Sequence, residues 1–355
     1  MKITLRRAAA GVSVIAVLGV IVLVSGVFPI KASSGHWPVT RWLLDFASDR
    51  SVAFHARGIQ PPALDGEPML ILGAATYESN CAFCHGRPGE SQPPVALAMT
   101  PTPPHLSGAV QDKHANELFY IVKHGIKFAG MPAWPTQRRD DEVWPVVALL
   151  ERFPDLSGDE YRRLIDVQLP ADTPQVVSHC AACHGVDGNG RGGERVPVLA
   201  GQSEAYLRKS LLAYRSGQRY SGVMMPVAHR LTDQDITVLS AYYANQARAA
   251  QEAPNPDDRI RFEEGQTLAL EGHTQDKIPS CVDCHGPTDN PRSEDYPSLV
   301  GQSQWYIIRQ LELLARQDRG GSEDVSLMHP VADKLTAQQR RALAIYYAAA
   351  KSESK

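Results

Sequence analysis

From Ala8 to Ile30 the chain carries no charged residue and is dominated by Val, Ile, Leu and Gly. A run of that length predicts one helix able to cross a bilayer. Just beyond it, HWPVTRWLLDF sets Trp37 and Trp42 beside apolar positions. That pattern fits either an interfacial aromatic belt or a helix packing its tryptophans on the domain that follows. Further along, DEVWPVVALLERF reads as a helical run. Around the cysteines no segment alternates with the period of a strand.

The chemistry lies in a hexapeptide written three times: CAFCHG from Cys81, CAACHG from Cys180 and CVDCHG from Cys281. All six cysteines are used in it. A zinc site would need a second Cys/His pair near each copy, and none is present. A redox dithiol belongs at a helix start in a strand-rich unit, which the pattern does not provide. Structural disulfides are usually dispersed to close long loops, whereas each pair here encloses only two residues. Covalent heme c attachment remains: Cys81 and Cys84, Cys180 and Cys183, and Cys281 and Cys284 reach the two vinyl groups of one porphyrin each. His85, His184 and His285 are then the proximal iron ligands. Three heme c groups per chain are expected.

The 355 residues admit two or three domains, and motifs about a hundred residues apart decide for three. The expected division is 1–35 for the cytoplasmic N-terminus and transmembrane anchor, 36–65 for a juxtamembrane segment, then units at 66–156, 170–250 and 258–352. PDLSGDEYRRLIDVQLPADTP joins the first unit to the second, and EAPNPDD (252–258) the second to the third. A net charge of −3 with no long basic run gives no footprint for nucleic acid.

Lys2, Arg6 and Arg7 place the N-terminus in the cytoplasm by the positive-inside tendency. The three units then lie on the periplasmic side of a bacterial cytoplasmic membrane, held by a single span. A cleaved signal peptide is the rival reading, with small residues in KASSG (31–35). Its apolar core would normally be only about 7–15 residues, so retention is the expectation.

Distal ligands follow from aligning the second and third units. PVLAGQSEAYLRKSLLAY from Pro197 and PSLVGQSQWYIIRQLELL from Pro297 share Pro, Leu, Gly, Gln, Ser and Tyr in register, so they are one duplicated unit. MMPVAHRLTDQDITVLSAYYA from Met224 matches MHPVADKLTAQQRRALAIYYA from Met328, with Pro226 over Pro330 and Leu231 over Leu335. Met224 and Met328 are therefore the expected sixth ligands, with Met225 the runner-up for Met224. In the first unit PHLSG (104–108) keeps the P-x-L-x-G order, and KHGIKFAGMPAW supplies Met131, with Met99 as competitor. An arbitrary methionine more often fills a core, but position, repetition and the following proline single these out. His329 replaces Met225 in the alignment and does not repeat; neither do His105, His114, His124, His179, His229 and His273.

On these residues each unit resembles a class I cytochrome c domain: C-x-x-C-H first, P-x-L-x-G in the middle, and a ligand methionine before the last helix. Residues from about 170 to 350 resemble the diheme cytochromes c4, and the first unit resembles the monoheme domains with a GMPAW loop on oxidase- and dehydrogenase-linked cytochromes. The resemblance implies an all-α fold of three tandem class I cytochrome c domains behind an N-terminal transmembrane helix. It also implies that the carbonyls of Pro104, Pro197 and Pro297 accept the proximal histidine N–H. One departure is visible: Pro170 and Pro174 truncate the N-terminal helix of the second unit.

With His and Met both bound, iron offers substrate no open position. Electron transfer rather than catalysis is expected. The reading is a relay between a donor, such as a quinol-oxidising complex or periplasmic dehydrogenase, and an acceptor such as a terminal oxidase. The alternatives are a cytochrome subunit inseparable from a dehydrogenase, and a heme enzyme such as a peroxidase.

Overall fold

The apolar run folds as the helix Leu5–Val24, whose 20 residues span roughly 30 Å and are not covered by the rest of the chain. In this computed structural model the described residues are 4–27, 30–251, 253–288, 292–321 and 324–351; Glu252 of the expected linker and Ser352 of the expected third unit lie outside them. All regular structure among the described residues is helical, and two isolated β-bridges, Ile126 with Met131 and His273 with Ile278, are the only sheet-like pairings there.

Three separate cores follow the three motifs. The first gathers Tyr77, Phe119, Trp144, Leu149, Phe153 and Tyr161. The second is built on Val177, Ala181, Leu207, Ile236, Leu239 and Tyr243. The third is built on Ala269, Ile307, Leu311, Leu314, Leu343 and Tyr347.

In the first and third units an early helix crosses a late one at a glycine. A Cβ on Gly73 of Glu67–Asn80 would fall 2.0 Å from the Pro145 carbonyl oxygen of Trp144–Arg152. A Cβ on Gly265 of Arg259–Glu271 would fall 2.1 Å from the Ala342 carbonyl oxygen of Ala337–Ala349. Only glycine permits backbones to approach so closely.

One expectation needs correction. The segment read as a linker after residue 156 forms the helix Gly158–Ile165, whose Tyr161 is fully buried in the first core and donates to Glu78 at 3.0 Å. An aromatic ring with a satisfied hydroxyl belongs to the unit it packs in, so the first unit runs to about residue 165. Of the two readings open for Trp37 and Trp42, burial against the first domain is not the one met, since both are more than half exposed.

Candidate functional site

Each motif closes a short helix, Ala82–His85, Ser178–His184 or Val282–His285, and the chain then turns through a glycine with positive φ: 73° at Gly86, 77° at Gly185 and 75° at Gly286. That is why glycine completes the hexapeptide. The turn brings the middle element back over the histidine. The Nδ1 atoms of His85, His184 and His285 lie 3.0, 3.2 and 2.9 Å from the carbonyl oxygens of Pro104, Pro197 and Pro297.

A carbonyl can only accept, so each Nδ1 carries the proton and each Nε2 keeps its lone pair. Burial pushes His184 down to about 4 against the pull of the carbonyl, and moves His85 and His285 in the same direction. All three imidazoles are neutral with a fixed tautomer, the form that binds a metal.

No two of the six cysteines are joined as a disulfide, and among the described residues no group of three or more His, Cys, Asp or Glu could hold a metal ion. Burial pushes the thiols of Cys81, Cys180 and Cys183 up to about 12, and that of Cys281 up to about 11.

In the second and third units these groups line one continuous cavity of about 430 Å³. Cys180, Cys183, His184 and Met224 line it from one side, and Cys284, His285 and Met328 from the other. Met225 is turned away, its methyl against Gly217, and His329 holds its Nε2 3.2 Å from the Arg319 carbonyl. Deep in the cavity Arg219 is 5% exposed, and its hydrogen-bond partners, Tyr206, Ser210 and Tyr306, are all neutral. A buried guanidinium without a carboxylate is costly, and the propionates of a porphyrin would supply the missing charge. Burial alone would raise Tyr206, but the nearby Arg219 and Arg319 outweigh it and draw it down to about 8. The thiol pairs, the oriented imidazoles, the apolar walls and this cation fit heme c.

In the first unit Met131 lies in a tight loop closed by the Ile126 N–H to Met131 carbonyl bond of 3.1 Å. The Met99 methyl packs on Gly130 beside it, so both candidates border one region. Of the unrepeated histidines, His179 borders the cavity, while His114 caps the helix Ala115–His124, whose last residue packs at a tilt against Tyr120, and His273 pairs with Asp276.

The repeated Gln of the GQS element was not singled out from the sequence, yet it joins the second and third units. Gln302 accepts from Val198 N and donates to its carbonyl, both at 2.8 Å. Gln202 does the same with Ser298, at 3.0 and 2.8 Å. The exchange is reciprocal across a local two-fold and ties together the strips that carry Pro197 and Pro297. Repetition in both units was the available signal.

The first unit meets the methionine segment of the second. Glu142 accepts from Ser221 Oγ and from Gly222 N, both at 2.6 Å, and Ser221 Oγ accepts from Met224 N at 3.0 Å. The Trp134 indole lies on Gly222, where a Cβ would fall 1.8 Å from Nε1. Asp141 lies 2.9 Å from Arg139 and 2.7 Å from Arg309 of the third unit. Burial opposes its charge, but the two guanidiniums prevail and hold its carboxyl at about 2.

Residues 70–150 match the family described as cytochrome c oxidase, cbb3-type, subunit III, and residues 173–246 match cytochrome c. A protein of Thiomonas intermedia named thiosulfate dehydrogenase electron acceptor is 37% identical over 179 residues, 50% of this chain and 82% of that protein. Cytochrome c4 of Pseudomonas aeruginosa is 32% identical over 168 residues, 47% of this chain and 81% of that protein. The crystal structure of reduced recombinant cytochrome c4 from Pseudomonas stutzeri aligns with TM-score 0.45 at 30% identity, covering 49% of this chain and 94% of that one.

Proposed function

The chain belongs to the c-type cytochromes, with cytochrome c4-like relatives, and from that premise we propose that it is a membrane-anchored, periplasmic triheme electron relay. The supporting observation is one arrangement met three times: a thiol pair, and a histidine whose Nδ1 donates to a proline carbonyl. When bound, heme c supplies one-electron exchange at its iron. The residues do the rest. Each thiol pair tethers one group. His85, His184 and His285 would offer the group a neutral Nε2, and Met131, Met224 and Met328 would offer it a thioether. Arg219 balances carboxylate charge between the second and third sites. A His and Met pair leaves no position for substrate, so the chain passes electrons and does not transform a bound molecule.

The relative named as a thiosulfate dehydrogenase electron acceptor supports a dehydrogenase as donor. The likeness of residues 70–150 to an oxidase subunit supports a terminal oxidase as acceptor. The same first relative favours a second reading, a cytochrome subunit held permanently on a dehydrogenase. The helix Leu5–Val24 is the membrane anchor in either case.

Heme that stays with the denatured protein should amount to three per chain, and a value of two would remove one unit from the relay. The reduced protein should not bind carbon monoxide; binding would indicate an open iron and favour a peroxidase. A purified dehydrogenase with its substrate should reduce the protein rapidly and then release it, whereas co-purification through salt washes would favour the permanent subunit.

A further inference from the structure

The helix Pro38–His55 has two unlike faces. One holds it to the first unit: Val52 and the adjoining Ala56 are buried, the Ala56 carbonyl accepts from Asn116 at 3.0 Å, and Asp49 pairs with Lys113 at 2.9 Å. The other presents Val39, Trp42, Leu43 and Phe46, spaced three and four apart so that they form one stripe. Their exposures are 76%, 64%, 55% and 48%. An apolar stripe of this kind is normally covered. Cations border it at the end nearer the folded unit, with the Arg50 guanidinium 5.4 Å from the Phe46 ring and Arg57 5.3 Å from the Phe54 ring.

We infer that this stripe lies in the lipid–water interface of the membrane crossed by Leu5–Val24. Three features select lipid over a protein partner. Only 13 residues separate the helix from the end of the span, so it is tethered at the bilayer surface. Its aromatic side chains suit the headgroup boundary, where amphipathic rings concentrate. Arg50 and Arg57 are placed to reach lipid phosphates while their stems stay on apolar surface. Because the adjacent face of the same helix is bonded to the first unit, that unit is held at a set height and orientation above the membrane instead of swinging on a linker.

The inference rests on the anchored reading, and the test separates the two. With all six native cysteines in thioether bonds, an added cysteine is the single reactive thiol. Spin labels at Leu43→Cys, Asp45→Cys and Val17→Cys are read in the full chain in nanodiscs containing anionic phospholipid. The expected result is that Leu43→Cys collides with dissolved oxygen and is several-fold less accessible than Asp45→Cys to a water-soluble nickel chelate. All of these positions are exposed, so the labels do not disturb a core. If Leu43→Cys is as open to nickel as Asp45→Cys while Val17→Cys is shielded, the interfacial helix is overturned and the anchor stands. If Val17→Cys is open to nickel as well, the anchor itself fails. Shielding of Leu43→Cys from both nickel and oxygen would mean a protein cover, and would also overturn the inference.

Discussion

The second and third units descend from one repeat, yet only the third is complete in itself. Its Arg259–Glu271 helix runs across the terminal helix Ala337–Ala349 at Gly265 and closes the core behind the cysteine motif. In the second unit, Pro170 and Pro174 leave only the turn Gln175–Val177 before the motif helix, and no helix of the unit takes that place among the described residues. The first unit fills it. Its Glu67–Asn80 helix brings Pro68 and Leu72 against Gly193 and Gly192, accepts from Arg230 at the Ser79 carbonyl at 3.1 Å, and lines the cavity with Leu72, Ala75 and Ser79. A unit lacking an element can persist when a covalently attached neighbour buries the same apolar surface, because attachment keeps the neighbour's effective concentration high.

The comparison is broken most severely at the methionines. If the two units bind iron alike, Met224→Ala and Met328→Ala should each open one site to carbon monoxide and lower one potential, while Met225→Ala should leave coordination intact. Carbon monoxide titration with potentiometry reads this, and a signal from Met225→Ala alone would shift the repeat register by one residue.

Glu142→Ala should come next, at about 3 kcal/mol, since it strands the Ser221 hydroxyl and the Gly222 N–H in a buried junction. The loss should fall on the second unit and spare the third. Hydrogen exchange at residues 221–225 would locate it, and unchanged protection there would deny that the first unit holds the methionine segment.

Gly265→Ala should cost about 2 kcal/mol by forcing a methyl group into the helix crossing. Denaturant unfolding should show that loss confined to the third unit. Leu72→Ala is the smallest of the four, about 1 kcal/mol for a half-buried side chain. Its value lies in direction: the residue belongs to the first unit, yet the spectrum and potential of the second site should shift.

Much of this site was legible along the chain because its parts act over short distances. The C-x-x-C-H spacing sets two thiols and an imidazole on one helical turn, and a duplicated sequence exposes Pro197, Pro297, Met224 and Met328 by register alone. The truncated start of the second unit could be read from Pro170 and Pro174 for the same reason, since proline acts on its own backbone. Tyr161 was misassigned because a charged, proline-flanked stretch looks like a linker until the surface that buries its one aromatic ring is known.

What the sequence determined by itself is therefore the three motifs, the expected order of their ligands and the apolar span, each encoded by spacing within a few turns of chain, while the all-helical class came through the resemblance to class I cytochromes c. Only the tertiary structure decided which surfaces meet: Gln202 and Gln302 exchanging bonds between units, Trp134 seated on Gly222, Glu142 capping the segment before Met224, and one cavity shared by two sites. These contacts join residues 79 to 104 positions apart. Each depends on shape and buried area that form only when separate helices have packed, and no local pattern of residue types carries that information.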